Sequence, residues 1–291
     1  MLEHLDPAPG RVERVVIVGA GGFVGSTIGT SLAAAGVPSL PLTRRELDLL
    51  AVDATTTLKT LLRPTDSLVM VSAMAPVRTI PMLSPNIRMA EAVCEVLAAG
   101  PVAHVVYISS DAVYVDDANP VTEGSSCQPS SLHGMMHAAR ELMLRTAVTS
   151  PLAILRPTLL YGARDPHNGY GPNRFRRQAE RGEPIGLFGG GEEMRDHVLV
   201  DDLGALTRLV LAHRSRGVLN VATGVSTSFH QVAEMVVALA PKPVDIRTTP
   251  RQAPITHRHF DITACLKAFP SFRYTALADG LRRSEARQTD A

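Results

Sequence analysis

Apolar and polar positions recur along this chain with two different periods. An apolar run that closes at Val15 to Val18 stops at a glycine-rich turn, Gly19 to Gly25, and resumes with apolar residues at Val24, Ile28, Leu32 and Ala35. The first run reads as a β-strand and the second as an amphipathic helix, because residues three and four apart share one helix face. Strand-like runs follow at Ser39 to Leu42, Leu68 to Ser72, His104 to Ser109 and Leu152 to Arg156, with helical segments between them. Strands alternating with helices predict an α/β fold built on a doubly wound parallel sheet. The last third predicts helices at Val200 to His213, Phe229 to Leu239 and Ile262 to Phe269, then a polar tail after Arg282 whose final Arg287 to Ala291 frays. Ligands of such sheets gather at the carboxyl ends of the strands, so candidate chemistry is sought there.

The first strand end carries the clearest signal. Gly19, Gly22 and Gly25 permit a tight turn, close approach of a pyrophosphate, and seating of the helix on the strand. The helix N-terminus, at Phe23 and Val24, offers N–H groups to an anion. This is the context in which a glycine pattern predicts a dinucleotide site. About twenty residues on, where an acid usually meets the ribose 2′-hydroxyl of NAD, stand Arg44 and Arg45. A guanidinium fork suits a 2′-phosphate, so NADP(H) is favoured over NAD(H), the alternative being a solvated basic turn. Asp48 suits either the adenine amino group or a helix cap.

Composition narrows the field further. The 291 residues are 45% apolar, enough for a sizeable core, and the formal charge of +1 gives no nucleic-acid or membrane-surface footprint. Cys94, Cys127 and Cys265 show no paired spacing, which reads as reduced thiols in a cytoplasmic protein. No basic-flanked leader and no membrane-length apolar run is visible.

Several ordered motifs together resemble the extended short-chain dehydrogenase/reductase family, the sugar-nucleotide epimerases, dehydratases and reductases. Ser72-Ala73-Met74-Ala75 resembles its strand-end motif beside the cofactor, and Asn86 opens a helix as the family's central asparagine does. Val106 to Tyr114 resembles its catalytic-serine strand, with Ser110 in the serine's place and Ser109 supporting the backbone. Arg156-Pro157 with Leu160-Tyr161-Gly162 resembles the strand leading into the substrate domain. Arg195 to Asp202 resembles a segment whose arginine grips the sugar nucleotide's diphosphate. The resemblance implies a Rossmann-type domain over residues 11–160 and a smaller C-terminal substrate-binding part over 161–291, some of whose elements pack back on the first. It also implies a small-molecule substrate, a sugar nucleotide, and a possible homodimer through the helices at Pro85 to Ala99 and Ser131 to Val148. Apolar Val93, Leu97, Leu142 and Met143 permit such a dimer and equally permit burial in a monomer.

The chain departs from the family at its tyrosine and, four residues later, its lysine: both are histidine, His133 and His137. In the family the tyrosine moves a proton at the reacting oxygen, and the lysine tunes it and bonds the nicotinamide ribose. Histidines one turn apart share a face, and an imidazole titrates near neutrality, so His133 is the candidate proton donor beside Ser110. His137 remains a candidate ribose donor. Four other readings stay open: a cofactor-binding regulator or scaffold without catalysis, an epimerase moving only protons, a divalent metal on the i, i+4 pair, and Tyr114 or Tyr161 as the acid. Asp111 follows the serine as in the family's dehydratases or caps the turn, but the next residue is Ala112 rather than glutamate. That favours reduction or epimerisation over dehydration.

Substrate contacts are expected in the second half. A polar loop, Ala163 to Asn173, suits closing over a ligand, with Asn173 and Arg174 at its end and Arg195 the leading diphosphate contact. Arg176 lies in the same basic run, and Arg177 reads as a solvated helix face. A proline-rich loop from Ala75 to Pro85 forms an opposite lip. Gly189 to Gly191 reads as a turn between short strands, Asp201 and Asp202 as helix caps, and His257-Arg258-His259 as a solvated basic turn.

Overall fold

A computed structural model of the protein describes residues 1–116, 119–251 and 254–289; the chain's last two residues, part of the tail expected to fray, lie outside them. The main sheet holds β1 (Val15–Val18), β2 (Ser39–Leu42), β3 (Ser67–Met70), β4 (His104–Ile108), β5 (Leu152–Pro157) and β9 (Gly217–Val221) in the order β2-β1-β3-β4-β5-β9, every pair parallel. The chain reverses direction across the sheet between β1 and β3, so a crevice opens at their carboxyl ends.

Residue alternation along the strands splits the core into two layers. Val16, Val18, Leu68, Met70, Val105 and Tyr107 pack under α2 (Ala54–Leu61), α3 (Ile80–Ala99) and α4 (Leu132–Ala147). Val15, Ile17, Val69, Val106 and Leu155 pack on the other side, under α1 (Phe23–Ala34) and α6 (Val200–Ala212). Both faces are covered, which is why these strands read as continuous apolar runs. Each fully buried aliphatic side chain contributes about 1.5–3 kcal/mol.

The chain then builds a smaller lobe. β6 (Leu159–Tyr161), β8 (Met194–Leu199) and β10 (Ser226–Ser228) form one sheet, and β7 (Ile185–Phe188) pairs with β11 (Ile246–Thr249) in another. α5 (Pro172–Glu180), α7 (Phe229–Leu239) and α9 (Leu277–Thr289) surround a core of Tyr161, Phe175, Leu187, Phe229 and Val232. The chain between these elements returns to the main sheet: α6 packs on α1, β9 joins as its last strand, and α8 (Thr263–Ala268) covers that strand.

Several elements differ from expectation. The Ala75 to Pro85 lip is shorter, because α3 begins at Ile80, and Asn86 lies inside the helix rather than opening it. Pro81 is tolerated there because the first turn of a helix has no intrahelical acceptor for that N–H anyway. The polar end of the chain is helical through Thr289: Leu277 and Leu281 anchor α9 in the small lobe's core, and tertiary burial outweighs its polar composition. Asp202 does not cap α6; it accepts hydrogen bonds from the Thr275 backbone (2.7 Å) and hydroxyl (2.9 Å), tying down the last connection.

Candidate active site

The crevice begins at Gly19. Its φ of +100° is costly for any residue with a Cβ, and such an atom would meet the Ser72 nitrogen at 2.6 Å. Gly25 has no space either, since a Cβ would strike the Gly19 carbonyl. Helix α1 therefore starts tightly against β1, and Gly22, its N-cap, leaves the first N–H groups without a side-chain cap. The Ser72 hydroxyl, just past the end of β3, is buried and has no partner among the described residues. An open helix N-terminus, a glycine cradle and an orphaned hydroxyl are what a dinucleotide phosphate and ribose would occupy, so the residues present fit such a group.

Around this crevice the chain fixes its own loops. Asn86, fully buried, accepts from the Met74 nitrogen (2.9 Å) and donates to the Met74 and Met82 carbonyls, so it shapes the strand-end segment that includes Ser72 and Ala73. At the end of β2, Arg44 pairs with Asp48 at 3.1 Å, and Asp48 also accepts from the Leu50 nitrogen. Both reduce the freedom of Asp48 and draw its carboxyl below the ordinary range. Arg45 is exposed and makes no side-chain hydrogen bond or ion pair among the described residues, though its charge acts on neighbouring Glu46.

The serine turn and α4 meet directly. Ser110 caps the single 3-10 turn Asp111–Val113, accepting from the Ala112 nitrogen at 3.2 Å. Gly134 is pressed onto the Ala112 carbonyl so closely that no side chain fits. That contact seats the first turn of α4 against the serine turn. Nδ1 of His133 faces the Val77 nitrogen at 3.5 Å, and its ring meets His137 edge-on with centroids 4.7 Å apart. Burial, then His167, lowers the His133 pKa, and burial, then His133 and Arg140, holds His137 well below its ordinary value. Both imidazoles are therefore neutral near pH 7. No group of three or more metal-ligating side chains forms among the described residues.

Beneath the site lies a buried ionic frame. Ser109 donates to Glu141 (2.6 Å), and Glu141 takes both arms of Arg156 at 2.9 and 2.5 Å. Tyr114 stacks under Arg156 and donates to Asn220 at 2.6 Å; Tyr161 is buried with its hydroxyl towards the Leu277 carbonyl. Neither tyrosine faces the serine turn as a free acid. Burial pushes Tyr114 up to about 12 and raises Tyr161 as well.

Arg258 carries no signal of its role in the sequence. It is not a solvated turn: it donates to the Asp111 carboxylate (3.3 Å) and to the Tyr114 and Val115 carbonyls, clamping the serine turn from the C-terminal segment. Burial raises the Asp111 pKa, while Arg258 and then Arg195 pull it back. The basic cluster gave no warning, because only the folded chain brings residues 111 and 258 together. Tyr107, which bonds His137 at 2.7 Å, was likewise hidden within an ordinary strand.

The expected substrate contacts are distributed unevenly. Arg195 bonds the Thr256 carbonyl and hydroxyl, close enough to act on the charge of Asp111. Asn173 is buried, its amide spent on Gly162 and Leu160 at the junction of β6 and α5. Arg174 stands at the start of α5, half-buried. Arg176 is a fully buried brace to the Ser284 carbonyl, and Arg177 pairs with Asp165 and Asn168, holding the 163–171 loop rather than facing solvent. No helix among the described residues is long and apolar enough to cross a membrane.

Comparison with known proteins agrees with this architecture. The chain is 32% identical to dTDP-4-dehydro-6-deoxy-D-allose reductase of Streptomyces bikiniensis over 117 residues, 38% of this chain and 35% of that protein. The match thus spans about a third of the relative's length. A UDP-glucose 4-epimerase of Thermus thermophilus, solved with NAD, superposes with a TM-score of 0.81 at 20% identity over 96% of this chain and 99% of that one. RMD from Pseudomonas aeruginosa, solved with NADPH, gives 0.81 at 19% identity over 96% and 100%. The profile of the NAD dependent epimerase/dehydratase family matches residues 15–222, from the first strand of the main sheet to just past its last, and the chain belongs to that family.

Proposed function

We propose that the protein is an NAD(P)-dependent oxidoreductase or epimerase of a sugar nucleotide or related keto-sugar, with Ser110 and His133 at the reacting oxygen. The observation that carries this reading is the contact of Gly134 with Ala112, which joins the histidine helix to the serine turn at the mouth of the dinucleotide crevice. Gly19, Gly22, Phe23, Val24 and Gly25 would hold the pyrophosphate, and Ser72 and Ala73 would line the ribose side. The exposed Arg44 and Arg45 favour a 2′-phosphate, hence NADP(H). The nicotinamide, when bound, supplies the hydride acceptor or donor.

The chain's own residues do the rest. Neutral His133 takes the proton of a sugar hydroxyl as its carbon is oxidised, and returns it when a carbonyl is reduced. The Ser110 hydroxyl donates to the same oxygen as charge develops there. Asp111 is held by Arg258 and followed by Ala112, which supports redox chemistry at a carbinol over loss of water. Arg195, whose guanidinium bonds Thr256, would meet the diphosphate.

Titration calorimetry of cofactor-stripped protein with NADPH and with NADH tests the first half. NADPH should bind roughly tenfold more tightly than NADH, and binding of neither overturns the redox reading. Nicotinamide absorbance with keto-sugar nucleotides tests the second half. Solvent deuterium entering a substrate carbon without an absorbance change would instead assign a proton-transfer epimerase.

A further inference from the structure

The tyrosine missing from α4 has a counterpart behind it, on the sheet. Tyr107 of β4 is buried, and its hydroxyl lies 2.7 Å from Nδ1 of His137. Two arrangements of protons are available: the phenol donates to Nδ1, or Nδ1–H donates to the phenol oxygen. The second leaves the phenolic proton without an acceptor, because no other group among the described residues bonds that hydroxyl. An unpaired buried donor is strongly disfavoured. The proton also stays on the phenol, since burial pushes Tyr107 up to about 12. The first arrangement pairs the phenol with Nδ1 and places the remaining ring proton on Nε2, where solvent or a ligand can accept it.

The charges around the ring keep it neutral. Arg140, on the same helix and fully buried, donates to the Ser72 carbonyl at 2.8 Å, lies 5.4 Å from the Tyr107 ring centroid, and has no carboxylate partner among the described residues. His133 meets His137 edge-on, Cys94 of α3 lies near Arg140, and the nearby Glu141 is committed to Arg156 and Ser109. A fixed cation so close opposes a second one on the imidazole. Nε2 of His137 has no partner among the described residues and is not sealed from solvent, unlike both ring nitrogens of buried His197.

We infer that Tyr107 fixes His137 as the neutral tautomer with its proton on Nε2, making it an uncharged donor for a hydroxyl or carbonyl oxygen of a ligand in the crevice. Tyr107 is thus a positioning residue. The ligand's place rests on the functional reading above, whereas the tautomer does not. Two-bond proton–nitrogen spectra of the full chain labelled with nitrogen-15 histidine read the tautomer directly, without cofactor or substrate. His137→Gln assigns the resonance by its disappearance. The expected result is an Nε2-protonated, Nδ1-bare pattern that persists from about pH 6 to 8, converting to a tautomer mixture in Tyr107→Phe. An Nδ1-protonated or imidazolium pattern in the native chain overturns the inference, as does an unchanged tautomer in Tyr107→Phe. If Tyr107→Phe fails to fold, the native spectrum alone still decides. Failure of nicotinamide binding would leave this spectrum intact, so the two readings fail separately.

Discussion

Gly134, on the first turn of α4, rests against the carbonyl oxygen of Ala112 with no room for a methyl group between them. One backbone contact thereby aligns two elements far apart in the chain, and His133 and Ser110 flank it.

Gly134→Ala should push α4 off the serine turn. The expected cost is about 1–3 kcal/mol of stability, with turnover down roughly a hundredfold from misplaced groups. Urea melts and steady-state kinetics check both. A variant as stable and active as the parent would show that the contact does not position the site.

His133→Phe should abolish turnover while leaving nicotinamide affinity within about twofold of the parent. The pH profile carries the sign. Because burial lowers the pKa of His133, the protonated form needed for carbonyl reduction grows only as pH falls below the ordinary histidine value, so reduction should slow as pH rises. Alcohol oxidation needs the neutral ring and should fade as pH falls. Rates independent of pH in both directions would remove His133 from proton transfer.

Arg258→Met takes from the buried Asp111 carboxylate its hydrogen-bonded cation, leaving only the more distant Arg195. The expected loss is about 3 kcal/mol, measurable by chemical denaturation. The double variant with Asp111→Asn should recover much of it; equal losses in the single and double variants would show that the two groups are not coupled.

Acid should destabilise the fold through His104. Its Nε2 bonds the Ser215 carbonyl at 2.7 Å, and burial lowers its pKa to about 4. A folded-state value below the unfolded one means that this contribution is complete above the ordinary value of about 6.5 and drains as pH falls towards 4, up to ~3 kcal/mol in all. His104→Gln should flatten stability against pH in that window. An unchanged slope would place the acid sensitivity in other buried histidines, such as His197, lowered by burial to about 3.

Local pattern was enough for five of the main sheet's six strands and for its crevice, while β9 was not read from it. The glycine turn, the strands at 39–42 and 104–108, and the helix over 229–239 stand where periodicity predicts them, because backbone geometry and amphipathic spacing are properties of neighbouring residues. The glycine turn at the crevice was legible for the same reason, as the dihedral at Gly19 and the open N-terminus of α1 are local. What the sequence did not reveal are partnerships across the fold: Arg258 with Asp111, Tyr107 with His137, Arg177 with Asp165, and the backbone contacts that occupy Asn173. A charged or aromatic side chain reads the same in one dimension whether it faces water or a buried partner. Only the packing of strand on helix and of the small lobe on the large one removes the water, and desolvation then decides which groups pair and which stay neutral.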